Sequence, residues 1–157
     1  MSKDTHDYRL ALTWDERGPG TIDYRSYSRT YRIAIDGKPE LVGSADPTFR
    51  GDPKLPNPEE LLVAALSSCH MLSYLALCAR AKIVVVAYTD DASGTMITRD
   101  GGWSGSFTEV VLRPRVTIAP GGDDAKARAL HHDAHDGCFV AASVNFPVRC
   151  EPTIVIA

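Results

Sequence analysis

The sequence lacks the charge balance that nucleic-acid binding requires. Its 157 residues carry 17 Lys and Arg against 20 Asp and Glu, which gives a formal net charge of −3. A chain of this charge sets up no broad positive field, so we expect no nucleic-acid partner. The chain also lacks a long uninterrupted apolar run and a basic-then-apolar N-terminal signal pattern. We therefore expect a cytoplasmic protein with no membrane partner.

Cysteine is scarce, with four residues in the chain. Thiols in the cytosol are reduced by default, and the disulfides that do form there are usually transient and catalytic. The composition therefore predicts no structural disulfide framework. We found no internal repeat, low-complexity segment or linker, and 157 residues suffice for one core, so residues 1–157 are predicted to form a single domain.

Alternating apolar and polar residues predict short strands around two helices. Asp36-Gly37 is typical of a hairpin turn, and residues 44–56, rich in Pro, Asp and Gly, predict an irregular loop. The element order β-β-β-α-β-β-β-α-β has no regular βαβ alternation, which indicates an α+β fold with largely antiparallel sheets. The predicted strands are residues 8–14, 28–35, 39–43, a segment from 83, a hairpin arm from 94, a long strand from 107 to 120, and 151–157.

A strong helix start lies at "NPEELLVAALSSCHM". Asn57 is a favourable N-cap, Pro58 suits the first helical position, and Glu60 can reach back to Asn57 as in a capping box. From Leu61 to about Lys82 the helix is apolar on almost every face, which is typical of a helix surrounded by protein. One small sheet cannot cover such a helix, and this indicates a second copy of the chain.

The four cysteines differ in their predicted positions. Cys69 and Cys78 share the first helix, about 13.5 Å apart along the axis at ~1.5 Å per residue, so they cannot form a disulfide with each other. Cys150 lies before the last strand with no obvious activating neighbour, and Cys138 lies near the end of the second helix. If two cysteines act together, Cys69 with Cys138 is the favoured pair. Cys69 can equally be a buried cysteine that only packs.

The sequence around Cys69 resembles that of a known family. "NPEELLVAALSSCH" is similar to the central-helix motif of the OsmC/Ohr family of thiol peroxidases, in which a reactive cysteine follows the Glu of Asn-Pro-Glu by ten residues, as Cys69 follows Glu59. The sequences of the loop before the helix and of the segment after Cys138 resemble those of an OsmC-like branch of this family. The resemblance implies an OsmC-like α+β fold, with antiparallel sheets packed on a long buried central helix, in an intertwined homodimer.

The resemblance also implies a set of site residues. Cys138 fits the place of the family's second cysteine, and Arg50 is the candidate for an arginine from the loop before the helix, with Arg29 and Arg32 as rivals. Glu59 lies about 15 Å from Cys69 along the same helix at ~1.5 Å per residue, so it would serve the site of the partner chain. Without the resemblance, Glu59 is equally a charge at the helix terminus.

The implied reaction is the reduction of organic hydroperoxides with no cofactor and no metal. Cys69 would attack as a thiolate, become a sulfenic acid and be resolved by Cys138 as an intramolecular disulfide, which an external dithiol would reduce. An arginine beside the thiol favours the anion and can orient the peroxide.

A rival constellation lies in "HHDAHDGC". On a helix, His131, His135 and Cys138 fall within roughly 60° at ~100° per residue, and His70 could add a fourth metal ligand. The simpler interpretation is a solvated polar helix face. The alternative function is a non-catalytic protein of the same fold that acts as a thiol or metal sensor or binds a small molecule.

Overall fold

Backbone contacts divide the chain into two units, one up to Leu61 and one from Leu62 onward. The computed structural model describes residues 4–15, 18 and 20–157. Residues 1–3, the start of the N-terminal stretch considered for a signal, lie outside the described residues.

The first unit contains a three-stranded antiparallel sheet. Its strands are β1 (Ala11–Thr13), β2 (Tyr31–Ala34) and β3 (Leu41–Gly43), in that order. The predicted strands 8–14 and 28–35 are thus confirmed in shorter form. The turn at Asp36-Gly37 is also present: Gly37 has φ of 70°, and the Lys38 N–H donates to the Ile35 carbonyl at 3.0 Å. Glycine fits this left-handed position without the steric cost of a Cβ.

The long first helix, α1 (Pro58–Arg80), begins as predicted. The Glu60 N–H donates to Asn57 Oδ1 at 2.8 Å, and the Asn57 N–H donates to Glu60 Oε2 at 3.0 Å. These reciprocal bonds form a capping box and satisfy backbone donors that the helix itself leaves unpaired. The helix ends where Lys82 takes a left-handed φ of 61° and the Ile83 N–H donates to the Cys78 carbonyl.

Only one stripe of α1 is buried in the single chain. Leu66, His70, Tyr74 and Cys78 form it, each four residues after the last. Other apolar positions remain partly exposed, and Leu72 is 62% exposed. A single copy of the chain therefore covers only one side of the helix, and the prediction that protein surrounds the helix is confirmed for that side alone.

By length and composition, α1 also meets a criterion for a membrane-spanning helix, with a mean hydropathy of 1.8 over its most apolar 18 residues. This differs from the prediction that no segment would qualify, because the interrupting residues, chiefly Ser and one His, lower the average little. Core helices of soluble proteins meet the same criterion, so hydropathy alone does not place α1 in a membrane.

Two three-stranded sheets make up the β-structure of the second unit. One has the order β4 (Val85–Asp90), β7 (Pro114–Ile118), β9 (Thr153–Ile156). The other has the order β5 (Ser93–Arg99), β6 (Ser104–Leu112), β8 (Val148–Cys150). The β4–β7 and β5–β6 pairs are antiparallel, whereas β6–β8 and β7–β9 are parallel. The α+β class is confirmed, with more parallel pairing than predicted.

The prediction of one strand from 107 to 120 was wrong. The chain breaks between β6 and β7 at Arg113, whose backbone N–H donates to Asp90 Oδ1 at 2.7 Å instead of joining a strand ladder. Pro114 follows and has no N–H to donate. The alternating pattern therefore continues across a point where the chain passes from one sheet to the other.

The second helix, α2 (Asp124–Asp136), packs its apolar stripe against α1 and the β4–β7–β9 sheet. The Asp123 side chain accepts a hydrogen bond from the Lys126 N–H and caps its start, and Gly137 follows its last turn. Its buried apolar residues, Ala127, Leu130 and Ala134, join Tyr74, Cys78, Val116 and Ile118 in the larger apolar cluster. A smaller cluster surrounds Leu66, Val110 and Leu112. The buried residues of α2 are Ala127, Leu130, His131 and Ala134.

We predict that the capping box contributes measurably to stability. Asn57→Ala removes the buried amide that accepts from Glu60 and should lower the free energy of unfolding by about 1–2 kcal/mol. Asn57→Ser keeps an oxygen at the cap and should lose only a few tenths. Urea unfolding followed by circular dichroism measures both, and equal losses for the two variants would contradict the role of the cap.

Candidate functional site

Two thiols meet where the middle of α1 approaches the end of α2. Cys69 lies in the fourth turn of α1 and is half-buried, and Cys138 follows the cap residue Gly137 and is 1% exposed. Neither is in a disulfide, and Cys69 is close enough to Cys138 to contribute to the raised pKa of the Cys138 thiol. The structure thus places side by side the two cysteines that the sequence favoured as a pair.

The surroundings of Cys138 shift the pKa of its thiol in two opposing directions. Burial raises the pKa of Cys138, and the hydrogen bond and charge of Cys69 raise it further. The backbone N–H groups of Ala141 and Val140 lower it, and the Ala141 N–H lies 3.5 Å from the sulfur. These amides open a short 3₁₀ turn at Ala141–Ser143, so the sulfur sits where a turn presents unpaired donors. Cys138 is therefore a protected thiol whose anion has ready hydrogen-bond donors.

A second cluster of donor atoms lies beside the thiol pair but does not include it. His70 Nε2 is 3.0 Å from His131 Nδ1, and Cys150 Sγ is 3.4 Å from His70 Nε2 and 3.8 Å from His131 Nδ1. The two imidazoles are 1% and 3% exposed. Three elements, α1, α2 and β8, contribute one residue each. Among the described residues this is the one group of three His, Cys, Asp or Glu side chains arranged to hold a metal ion.

Burial dominates the ionisation of this second cluster. It lowers the pKa of His131 to about 3, with further lowering from His70 and Arg128. Burial, followed by the charge of His135, lowers the pKa of His70, and Asp90 raises it in part. Burial together with Asp90 and Glu151 raises the pKa of Cys150 to about 12. At neutral pH the free cluster thus holds neutral imidazoles and a protonated thiol.

The predicted metal set of His131, His135 and Cys138 is not formed. His131 and His70 do come together, as that hypothesis allowed, but the sulfur is that of Cys150. The helical spacing failed because α2 ends at Asp136, so Cys138 lies beyond the helix and its side chain turns to Cys69. The solvated-face interpretation also fails for His131, whose ring stacks on Tyr74 at a centroid distance of 3.8 Å.

Cys150 is the residue that sequence reasoning missed. Strand β8 pairs in parallel with β6 and sets Cys150 opposite Leu112. Arg149, its neighbour on the strand, is exposed and bonds to Glu109, so alternation turns Cys150 inward. The inward direction could have been inferred from the pattern "VRC", but the histidines it meets are 80 and 19 residues away.

Glu59 and the three candidate arginines belong to the first unit. Arg29 donates to the carbonyls of Tyr24 and Tyr27, and its guanidinium stacks on the Tyr27 ring at 3.7 Å. Arg32 pairs with Glu40 at 2.6 Å. Both rival arginines are thus engaged with neighbours in their own sheet region.

Arg50 differs from these two arginines. It is exposed, it has a left-handed φ of 70° after the 3₁₀ turn Pro47–Phe49, and its guanidinium has no hydrogen bond or ion pair among the described residues. Glu59 is half-buried in the first turn of α1, and its charge contributes to a raised pKa of Tyr31, after burial.

Comparison with known proteins places this arrangement in a family. The family model described as OsmC-like protein matches residues 51–153. An OsmC-like protein of unknown function from Vibrio cholerae is similar to this chain, with 34% identity, a TM-score of 0.85, and coverage of 95% of this chain and all of the other. The chain therefore belongs to the OsmC-like protein family, as the central-helix motif indicated. No curated protein matches the chain.

More distant solved structures share the fold. An organic hydroperoxide resistance protein from Elizabethkingia anophelis has 20% identity and a TM-score of 0.69, over 99% of this chain and all of the other. Another organic hydroperoxide resistance protein, from Legionella pneumophila, has 17% identity and a TM-score of 0.65, over 97% of this chain and 98% of the other. At these identities the likeness concerns the fold.

Proposed function

We propose that the protein is a thiol-dependent peroxidase that reduces organic hydroperoxides. The observation that carries this proposal is the contact between two reduced thiols, half-buried Cys69 and buried Cys138. A nucleophile that peroxide can reach, next to a protected second thiol, is the arrangement that a two-cysteine peroxidase needs. Family members named as organic hydroperoxide resistance proteins support the same assignment.

The proposed reaction has three steps. The Cys69 thiolate attacks the terminal oxygen of ROOH, the O–O bond breaks, and the alkoxide takes up a proton and leaves as ROH. The resulting Cys69 sulfenic acid is attacked by Cys138, whose sulfur forms the disulfide while the hydroxyl leaves as water. An external dithiol then reduces the disulfide and returns both thiols. The N–H groups of Ala141 and Val140 favour the Cys138 anion for the second step.

Exposed apolar side chains flank the thiol pair. Phe139 follows Cys138 and is 83% exposed, and Leu72 lies one helical turn after Cys69 and is 62% exposed. Apolar surface next to the nucleophile favours a peroxide with an alkyl chain over hydrogen peroxide. We therefore propose an organic hydroperoxide as the substrate class.

We predict that one equivalent of an alkyl hydroperoxide removes two free thiols per chain from the reduced protein. Cys69→Ser should lose none, because the nucleophile is gone. Cys138→Ser should lose one and retain a sulfenic acid that dimedone labels, because no resolving thiol is available. Thiol titration and mass spectrometry of the intact chain measure these results.

Cys78→Ser is the matched control, since Cys78 is a buried thiol on the same helix and burial raises its pKa. It should still lose two thiols. Retention of all thiols by the wild-type chain at equimolar peroxide would sink the proposal. In that case the non-catalytic alternative, a thiol or metal sensor or a small-molecule binder, would stand.

Arg50 is the arginine we propose for the peroxide site. Its guanidinium is not committed to another group among the described residues, whereas Arg29 and Arg32 are held by neighbours. A free guanidinium can both favour the Cys69 thiolate and align the peroxide through its fork of donors. The 3₁₀ turn Pro47–Phe49, directly before Arg50, fixes the backbone of the loop that carries this arginine.

We predict that Arg50→Ala slows peroxide reduction by about 100-fold, the loss expected when one charge-stabilising donor is removed. Arg32→Ala removes an exposed ion pair and should stay within about twofold of the wild-type rate. Stopped-flow measurement of the peroxide step separates the two. A large loss in Arg32→Ala with normal activity in Arg50→Ala would reassign the role.

We further propose a cytoplasmic homodimer in which Glu59 completes the site of the partner chain. Only 22% of the most apolar part of α1 is buried in a single copy, so its remaining apolar faces require a cover. A second central helix across a twofold axis supplies that cover and brings the start of one helix toward the middle of the other. Glu59 is the charged group at that start, and it would hold the arginine in place.

Complementation tests this composite site. Cys69→Ser and Glu59→Gln chains should each be strongly impaired alone, and the two are co-expressed. Light scattering should give a mass of twice 17.0 kDa, the mass expected for a dimer. Half of randomly mixed dimers are hybrids with one intact site, so about one quarter of wild-type activity should return. If Glu59 served its own chain, no hybrid site would be intact and mixing would restore nothing.

A further inference from the structure

The His70–His131–Cys150 cluster has the dimensions of a metal coordination sphere. A tetrahedral ion with metal–nitrogen bonds of about 2.0–2.1 Å and a metal–sulfur bond of about 2.3 Å holds its ligands about 3.4–3.6 Å apart. The three observed separations are 3.0, 3.4 and 3.8 Å. We infer that His70 Nε2, His131 Nδ1 and Cys150 Sγ bind a single Zn²⁺ ion.

The donor set selects the class of metal. Two imidazoles and a thiolate suit borderline-soft ions, whereas Mg²⁺ and Ca²⁺ require oxygen ligands. Asp90, the carboxylate whose charge acts on both His70 and Cys150, is otherwise engaged: one oxygen accepts from Ser67 Oγ at 2.5 Å and the other from the Arg113 N–H at 2.7 Å. Asp90 therefore contributes negative potential near His70 and Cys150 without competing as a ligand.

The scaffold holds the three donors in place. His70 is on the buried stripe of α1, and His131 is on the buried face of α2 with its ring stacked on Tyr74. Cys150 is fixed by the pairing of β8 with β6. A metal bound through His70 Nε2 and His131 Nδ1 would place the proton of each ring on its remote nitrogen, and neither remote nitrogen has a hydrogen-bond partner among the described residues. The support for the site is therefore the packing that holds the three donor atoms close together, rather than the hydrogen bonding of the rings.

One side of the cluster faces a cavity of about 330 Å³. His131 and Cys150 line it, together with Arg128, His132 and His135. Three protein ligands with an accessible fourth position are typical of a zinc site that binds water or an exchangeable ligand, whereas purely structural sites have four protein ligands. Arg128 at the rim favours an anion in that position. The site leaves Cys138 free, so it is compatible with the thiol pair.

Cobalt provides the test, because Co²⁺ occupies tetrahedral thiolate–imidazole sites and is coloured there. The full-length chain, reduced, treated with chelator and kept free of oxygen, is titrated with Co²⁺ alone. We expect one Co²⁺ per chain, intense visible absorption from tetrahedral geometry, and a thiolate-to-cobalt charge-transfer band in the near ultraviolet. One equivalent of Zn²⁺ should abolish both.

Variants assign the ligands. Cys150→Ser should lose the charge-transfer band, and His131→Gln should keep a thiolate ligand but bind Co²⁺ at least about 10-fold more weakly. Two controls, Cys78→Ser and the double variant Cys69→Ser/Cys138→Ser, should retain the band and the affinity. Circular dichroism verifies that each variant is folded, and His131→Gln serves as the ligand test if Cys150→Ser does not fold.

Two outcomes would overturn the inference. One is the absence of any cobalt band in the wild-type chain at millimolar Co²⁺ with all four thiols reduced. The other is a band that survives in folded Cys150→Ser or disappears in the Cys69→Ser/Cys138→Ser variant, since the metal would then be bound by the redox pair. The peroxide assay is independent of both results.

Discussion

The burial of one face of α1 determines the directions in which its two adjacent reactive residues, Cys69 and His70, point. Leu66, His70, Tyr74 and Cys78 occupy that face at four-residue intervals. Because successive helical residues are rotated by about 100°, Cys69 lies at the edge of the face whose centre includes His70. Two adjacent residues are therefore directed to different partners: His70 to His131 and Cys150, and Cys69 to Cys138. A half-buried thiol is the result.

The reactive residues of helix α2 and of the segment after it are also directed to different partners. His131 lies on its buried face and packs against Tyr74, whereas Cys138 follows the Gly137 cap, outside the helix. This difference matters chemically, because the end of the helix lets the chain turn and present the amides of Val140 and Ala141 to the Cys138 sulfur. Cys150 instead faces ring nitrogens of His70 and His131, and burial together with the charges of Asp90 and Glu151 raises its pKa. The two thiols therefore have different surroundings, and this difference underlies the two different roles proposed for them.

What the sequence predicted well was local. The start of α1 follows from Asn57 to Glu60 alone, because a capping box involves residues three apart. The pair Cys69 and Cys138 is not local; the exclusion of Cys78 and the family motif favoured it, and its role stays a prediction. The long strand failed at Arg113, since its break depends on Asp90, a residue in another strand. Cys150 was missed for the same reason: its partners are reached only through the parallel β6–β8 pairing, which leaves no short-range pattern.

The separation of the four cysteines bears on the disulfide proposed between Cys69 and Cys138, because the other two thiols are free and have different surroundings. Cys78 is buried, with a raised pKa, and nearly on the opposite side of α1 from Cys69. Cys150 has a pKa raised to about 12, so without a metal it is a thiol and not the anion that attacks peroxide. A bound Zn²⁺ would convert it to a thiolate but engage its lone pair. In both states the proposed reaction would involve only Cys69 and Cys138, because Cys78 and Cys150 would not be available as thiolates for exchange.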